Sequence, residues 1–198
     1  MTDSYRFITR WRFQATADAI YSILSEPTEY PRWWPSVYLM VRQVAPGQVR
    51  LLTRGWLPYR LRWDATNVEA HPPSRLTIRA SGDFKGEGVW SIVKDGEFCD
   101  VTFDWKVNAI KPLLRYLTFL LRPAFEANHR WAMEQGSRSL ELEIARYNAA
   151  TVEEMNTVAP APPPAELFRA DIIGGAILSA AIIGAILPAF QNTRAKQA

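Results

Sequence analysis

One histidine of this chain has the position that acid–base chemistry in a buried site would need. His129 falls on the same helical face as a run of apolar residues, and an imidazole can exchange a proton near neutral pH. A histidine in such a stripe is more often a hydrogen-bonded structural residue. We favour that interpretation and keep His129 as a candidate for catalysis and for ligand binding. His71 lies in the turn-like stretch HPPS, with no cysteine or carboxylate spacing suggestive of a metal site, so none is predicted.

Motifs for other chemistries are missing from the sequence. It contains no GxSxG elbow, no P-loop and no GxGxxG fingerprint. Cys99 is the single cysteine, which excludes an internal disulfide and suits a reducing compartment. Its strand parity with Val101 and Phe103 indicates a small buried side chain. No cofactor is implied.

Composition predicts one globular domain with an appendage. The 198 residues are 48% hydrophobic and include eight tryptophans, which is ample for an apolar core. The net charge is only +3, and the arginines are scattered without forming a basic block, so we expect no nucleic-acid partner. The N-terminal stretch MTDSYRFITRW shows no secretory signal, and we expect the globular part to lie in the cytoplasm.

Alternation of apolar and polar residues dominates the first half of the chain. Tyr5–Phe13 alternates with a period of two, so it predicts a strand with an aromatic and a basic face. A helix capped by Thr16 or Asp18 follows, and a second helical turn spans Glu26–Trp33. Six further strands with short connections predict an antiparallel meander. They cover Val37–Val44, Gln48–Gly55, Pro58–Val68, Ser74–Ser81, Gly86–Val93 and Phe98–Ala109.

After Pro112 the apolar residues follow a helical period. A stripe formed by His129, Met133, Gly136, Leu140, Ile144 and Tyr147 predicts a long helix that covers the sheet. Pro123 is expected to kink or divide the apolar segment just before this stripe. Strand parity directs five large rings toward the helix. These are Tyr59, Trp63, Trp90, Phe103 and Trp105.

The C-terminal third changes character twice. Residues 151–166 are rich in proline and predict an extended linker. Residues 172–190 carry no charge and would span a bilayer core as a helix, so residues 167–191 predict a single membrane helix and 192–198 a polar tail. Ala176, Ala180 and Gly184 form a small-residue face for a helix partner. The alternative is a hydrophobic helix that docks on this protein or on a partner, and flanking charges leave the topology open.

The order of elements, together with four stretches, resembles a known superfamily. The stretches are RWRFQATADAIYSILSEPTEYPRWWPSV, GWLPYRLRWD, FKGEGVWSI with VTFDWKV, and NHRWAMEQGSRSLELEI. They are similar to START-like (SRPBCC) proteins of the polyketide cyclase/dehydrase type. The resemblance implies an α+β helix-grip fold over residues 1–150, in which a curved seven-stranded antiparallel sheet wraps a long C-terminal helix. It also implies a site for a hydrophobic molecule between sheet and helix.

This fold gives a place to the stretch 29-EYPRWWPSVYLM-40. The two short helices would close one end of the sheet, so one ring of the Trp33–Trp34 pair would plug the core and the other would face the cavity, unless both only pack. The predicted ligand-binding set contains mainly aromatic residues. Its members are Tyr30, Trp33, Trp34, Tyr59, Trp63, Trp90, Phe103, Trp105, His129 and Met133.

These observations lead to three functional hypotheses. The first is a membrane-tethered protein that binds or transports a lipid-like or polycyclic molecule. The second is an enzyme of the cyclase or aromatase type, in which His129, Tyr59 or Tyr30 would move protons, although the inward faces offer few ionisable groups. The third is a membrane-bound assembly factor whose groove binds a protein. We favour binding over catalysis.

Overall fold

The computed structural model describes residues 4–57, 60–109 and 118–164. They belong to one compact unit, Met1–Pro164, whereas the unit Ala165–Ala198 lies outside the described residues. In chain order the elements are β1 (Ser4–Phe13), α1 (Ala17–Ser25), a 3-10 turn (Pro27–Glu29), α2 (Tyr30–Trp33), β2 (Tyr38–Ala45), β3 (Gln48–Arg54), β4 (Arg60–His71), β5 (Arg75–Gly82), β6 (Phe84–Asp95), β7 (Phe98–Ala109), α3 (Thr118–Asn148) and α4 (Val152–Thr157).

The strands form one antiparallel sheet in the order β1-β7-β6-β5-β4-β3-β2. This arrangement confirms the predicted sheet with a long C-terminal helix. The predicted inward side chains lie on the covered face, because Trp63 pairs with Leu51 across β3 and β4, and Trp90 pairs with Phe103 across β6 and β7. All four are buried. Alternation along each strand therefore fixes which face becomes the core.

The short helices begin where the sequence provides caps. Thr16 Oγ1 accepts a hydrogen bond of 3.2 Å from the Ala19 amide, which satisfies a free donor at the start of α1. Between α1 and α2 the Tyr30 hydroxyl donates to the Leu24 carbonyl at 2.6 Å. That buried bond ties the two helices together.

Helix α3 lies over the sheet with Met133, Leu140 and Ile144 buried, as predicted. The helix continues through Pro123, so this proline does not divide it. One expectation about the helix is wrong. Tyr147 is 56% exposed, because it lies in the last turn of α3 and the apolar stripe stops at Ile144.

The segment predicted as an extended linker contains helix α4. Thr151 Oγ1 accepts from the Glu154 amide at 3.1 Å, and Glu154 Oε2 accepts from the Ala150 amide at 2.8 Å. The Thr151 cap starts a helical turn where composition alone predicts none. Arg146 also donates to the Ala159 carbonyl, so the first part of the linker contacts α3.

None of the helices within the described ranges is long and apolar enough to cross a membrane. The predicted span at residues 172–190, with Ala176, Ala180 and Gly184, lies outside those ranges. It stays a prediction from the sequence.

Candidate ligand-binding site

A cavity of about 420 Å³ lies between the sheet and α3. Side chains from the sheet, from the α1–α2 corner and from α3 line it, and most of them are apolar. Pockets that hold drug-sized ligands have volumes from about 300 to 1,000 Å³, so this one is large enough for a small organic molecule.

Eight of the ten predicted site residues line this cavity. They are Tyr30, Trp34, Trp63, Trp90, Phe103, Trp105, His129 and Met133. Trp33 does not line it, and its ring packs in the core against that of Trp34 at a centroid distance of 5.5 Å. Tyr59 falls outside the described residues. The two neighbouring tryptophans are therefore divided between core and cavity wall.

Stacked rings form the sheet side of the cavity. The Trp90 and Phe103 centroids are 4.1 Å apart with nearly parallel planes, and Phe103 and Trp105 follow at 5.5 Å. Gly88 leaves room for them, since a Cβ there would lie 2.7 Å from Trp105 Cε3. Similarly, a Cβ at Gly136 of α3 would overlap the Trp34 indole. Both glycines are required by close packing against the cavity's aromatic wall.

His129 contributes a neutral polar group to this wall. Its Nε2 lies 3.4 Å from Thr9 Oγ1, and its ring stacks on Phe7 at a centroid distance of 4.4 Å. Burial lowers the pKa of His129 to about 4, because an imidazolium would lose its hydration there. At neutral pH the ring is uncharged, so it can offer one N–H donor and one acceptor but no acidic imidazolium proton.

Two other polar groups around the cavity are already paired, whereas the buried Trp34 Nε1 has no hydrogen-bond partner among the described residues. Trp63 Nε1 donates to Thr53 Oγ1 at 3.1 Å, and Asn128 Oδ1 accepts from the Leu57 amide at 3.1 Å. Burial raises the pKa of Tyr38, so its phenol stays protonated. Within the described ranges, no group of three or more histidine, cysteine or acidic residues is arranged to hold a metal ion. The cavity is thus suited to orienting an apolar ligand through a few neutral contacts.

The sequence analysis missed three of these polar residues. Thr9 has the same strand parity as Tyr5 and Phe7, so the pattern places it on the inward face without indicating its contact with His129. Asn128 and Thr53 carry no comparable signal, since their roles depend on which loop and which ring lie opposite in space.

Comparisons with known proteins agree with this geometry. Residues 7–145 match the sequence profile of the family described as polyketide cyclase / dehydrase and lipid transport. The chain therefore belongs to this family, within the START-like superfamily. No curated protein sequence matches it significantly.

Solved structures show the same fold at low sequence identity. The Zhui aromatase/cyclase from Streptomyces sp. R1128 is 15% identical with a TM-score of 0.61, over 74% of this chain and 97% of that one. A protein from Thermus thermophilus is 16% identical with a TM-score of 0.60, over 73% and 100% of the two chains. A conserved protein from Geobacillus kaustophilus is 12% identical with a TM-score of 0.58, over 72% and 96%. At these identities the likeness concerns the fold alone.

Proposed function

We propose that this protein binds a lipid-like or polycyclic hydrophobic molecule in the cavity between the sheet and α3. The aromatic cavity of about 420 Å³ carries this proposal. Stacked rings offer flat apolar contact area, and His129 offers a neutral hydrogen-bonding group that could fix a ligand's orientation. The family description, which includes lipid transport, supports the same class of ligand.

Binding without turnover fits the site better than cyclase chemistry does. Cyclisation and dehydration need an acid and a base near the reacting atoms. Among the described lining residues that we predicted to move protons, His129 is neutral with a pKa of about 4, and burial raises the pKa of Tyr30 well above its usual value. Neither group is a strong proton donor at neutral pH.

We also propose that residues 172–190 tether the domain to a membrane, with the domain on the cytoplasmic side. The nineteen-residue stretch without charge supports this proposal. Tethering would favour exchange of an apolar ligand that partitions into the bilayer, because the linker raises the domain's local concentration there.

The test is native mass spectrometry with organic extraction on the full chain, purified in mild detergent. We expect a stoichiometric lipid-sized or polycyclic adduct. Ala132 lines the cavity on α3, so Ala132→Phe should remove the adduct by filling the cavity. Ala145→Phe, at an exposed position of the same helix, is the matched control and should retain it.

Two results would contradict the binding proposal. An empty cavity with a co-purifying protein would favour the assembly-factor hypothesis. An adduct that persists in a folded Ala132→Phe variant would place the ligand elsewhere. Circular dichroism of both variants checks that they remain folded.

A further inference from the structure

The sheet face turned away from α3 carries an excess of positive charge at one end. Cross-strand pairing places Arg42 opposite Arg50, and Arg54 opposite Arg60. Arg62 follows Arg60 on the same face, opposite Leu52. We call the outward surface of β2, β3 and β4 formed by four of these arginines the arginine face. They are Arg42, Arg50, Arg60 and Arg62, whereas Arg54 lines the cavity and is not counted among them.

Few carboxylates balance this charge. Asp64 binds Arg50 through two hydrogen bonds, of 2.8 Å from Nε and 3.0 Å from Nη2. Asp83 accepts from the backbone amide of Arg62 at 2.9 Å. On the outward face of the described residues of β2, β3 and the first half of β4, together with the adjoining Asp83, four cations thus face two anions. Like charges directly opposite each other on neighbouring strands are destabilising, so an anionic partner would relieve the Arg42–Arg50 pair.

At the other end of the same sheet face, carboxylates pair with three cations, Arg6, Arg12 and Lys106. Arg6 pairs with Asp104 at 2.7 Å. Arg12 pairs with Asp95 at 2.6 Å and with Asp100 at 2.8 Å. Among the four described arginines of the arginine face, by comparison, Asp64 pairs with Arg50 alone.

Exposed apolar side chains lie beside the arginines, and they favour a lipid over nucleic acid as the anionic partner. Met40 lies opposite Leu52 and is 43% exposed, and Val44 is 39% exposed. Trp56, in the β3–β4 connection, is 46% exposed. Arginine forks bind phosphate oxygens, and tryptophan favours the boundary between lipid headgroups and acyl chains. Nucleic acid would use the arginines but would gain little from Met40 and Val44.

We propose that the arginine face, together with Met40 and Trp56, docks on the surface of a membrane that contains anionic phospholipids. This inference rests on the proposed binding function and deepens it. Gly55, next to Trp56, lines the cavity, and Asn128, which binds the Leu57 amide, lines it too. Docking brings this part of the cavity wall to the headgroups, where a lipid-like ligand enters or leaves.

The experiment uses the full chain with a fluorophore on an introduced cysteine. Cys99 has no exposed surface, so a Met40→Cys substitution directs the label to the arginine face. Val93→Cys, at a 61% exposed position outside that face, gives the control label. The probes are vesicles of phosphatidylcholine alone and of phosphatidylcholine with phosphatidylglycerol. We expect the fluorescence emission of the label at Met40→Cys to shift to the blue with anionic vesicles only. High salt should reverse this shift, and the label at Val93→Cys should show none.

Two triple variants test which cationic residues are responsible for binding to anionic vesicles. The first variant combines Arg42→Ser, Arg60→Ser and Arg62→Ser. It should raise the concentration of anionic lipid that gives half of the shift roughly 100-fold, since each arginine contributes to attraction by anionic lipid. The matched control removes three charges elsewhere on the outward sheet face, through Arg10→Ser, Arg79→Ser and Lys106→Ser, and should raise it far less. All six positions are cationic in the parent chain.

Each contrary result overturns the proposal. Equal shifts with neutral and anionic vesicles would exclude recognition of anionic lipid. Equal losses in the two triple variants would show that net charge, and not the arginine face, is responsible. Binding of duplex DNA without any lipid-dependent shift would assign the face to nucleic acid. The comparison between the Met40→Cys and Val93→Cys labels separates contact at the arginine face from attachment through residues 172–190, and neither label reports the adduct lost in Ala132→Phe.

Discussion

The environment of a single imidazole limits the chemistry that the cavity can offer. His129 is packed against Phe7 and Thr9, and this burial lowers its pKa from 6.5 to about 4. The unfolded chain therefore binds a proton at this residue between pH 6.5 and 4, whereas the folded protein does not. Stability from the neutral ring is fully present above pH 6.5 and is lost as the pH falls through this window.

We expect the free energy of unfolding to decrease by at most about 3 kcal/mol through this group between pH 7 and pH 4. Urea unfolding at several pH values measures the decrease. The His129→Gln variant keeps a polar partner for Thr9 and should lack this part of the pH dependence. The NMR titration of His129 should show a midpoint near 4, and a midpoint near the ordinary value of 6.5 would contradict the lowered pKa.

Sequence spacing could identify His129 but not its partners. A helical period places it among buried residues, since neighbours three and four positions away share one face. Its contact with Thr9 joins residues 120 positions apart, and no local pattern encodes that distance. The same limit applies to Trp33 and Trp34, because the division between core and cavity wall depends on how α2 meets α3.

Among the elements, strands were the most predictable. The alternation along β4, β6 and β7 gave the correct inward faces, because a period of two fixes side-chain direction within each strand. Helix ends were less predictable. Tyr147 continues the apolar stripe in sequence, yet it is exposed in the last turn of α3. Helix α4 forms because Thr151 caps it, although the composition of this segment suggests a linker.

The contact between α2 and α3 depends on an ion pair that strand and helix patterns do not reveal. Arg32 donates to Glu143 at 3.0 and 2.5 Å, and the Glu143 side chain is 10% exposed. We expect Glu143→Gln to lower the free energy of unfolding by about 1–2 kcal/mol, because the loss lies between that of a buried and an exposed pair. Urea unfolding at low salt measures this change.

The same arginine provides the matched control. Arg32 also pairs with Glu29 at 2.8 Å, and both side chains of that pair are 54% exposed. Glu29→Gln should change stability little, since solvent already screens the pair. Equal losses in the two variants would show that the buried Glu143 contact does not hold α2 against α3.

At the scale of the whole molecule, strand register carries information that composition hides. The arginines of the arginine face are scattered in sequence, and for that reason the charge pattern predicted no nucleic-acid partner. Antiparallel pairing of β2, β3 and β4 brings them onto one surface. The cavity volume likewise depends on the distance between the sheet and α3, which side-chain periodicity does not determine.

Attachment of the whole molecule to a membrane is proposed to occur through residues 172–190. Ile182→Lys together with Ile186→Lys places two charges within this stretch, and each charge costs roughly 2.5–3.5 kcal/mol near a bilayer centre. We expect the parent chain to remain in membranes after alkaline extraction and the double variant to appear in the soluble fraction. Ile182→Leu with Ile186→Leu is the control and should stay in membranes. If parent and lysine variant fractionate alike, residues 172–190 do not anchor the protein, and its membrane contact would depend on the arginine face.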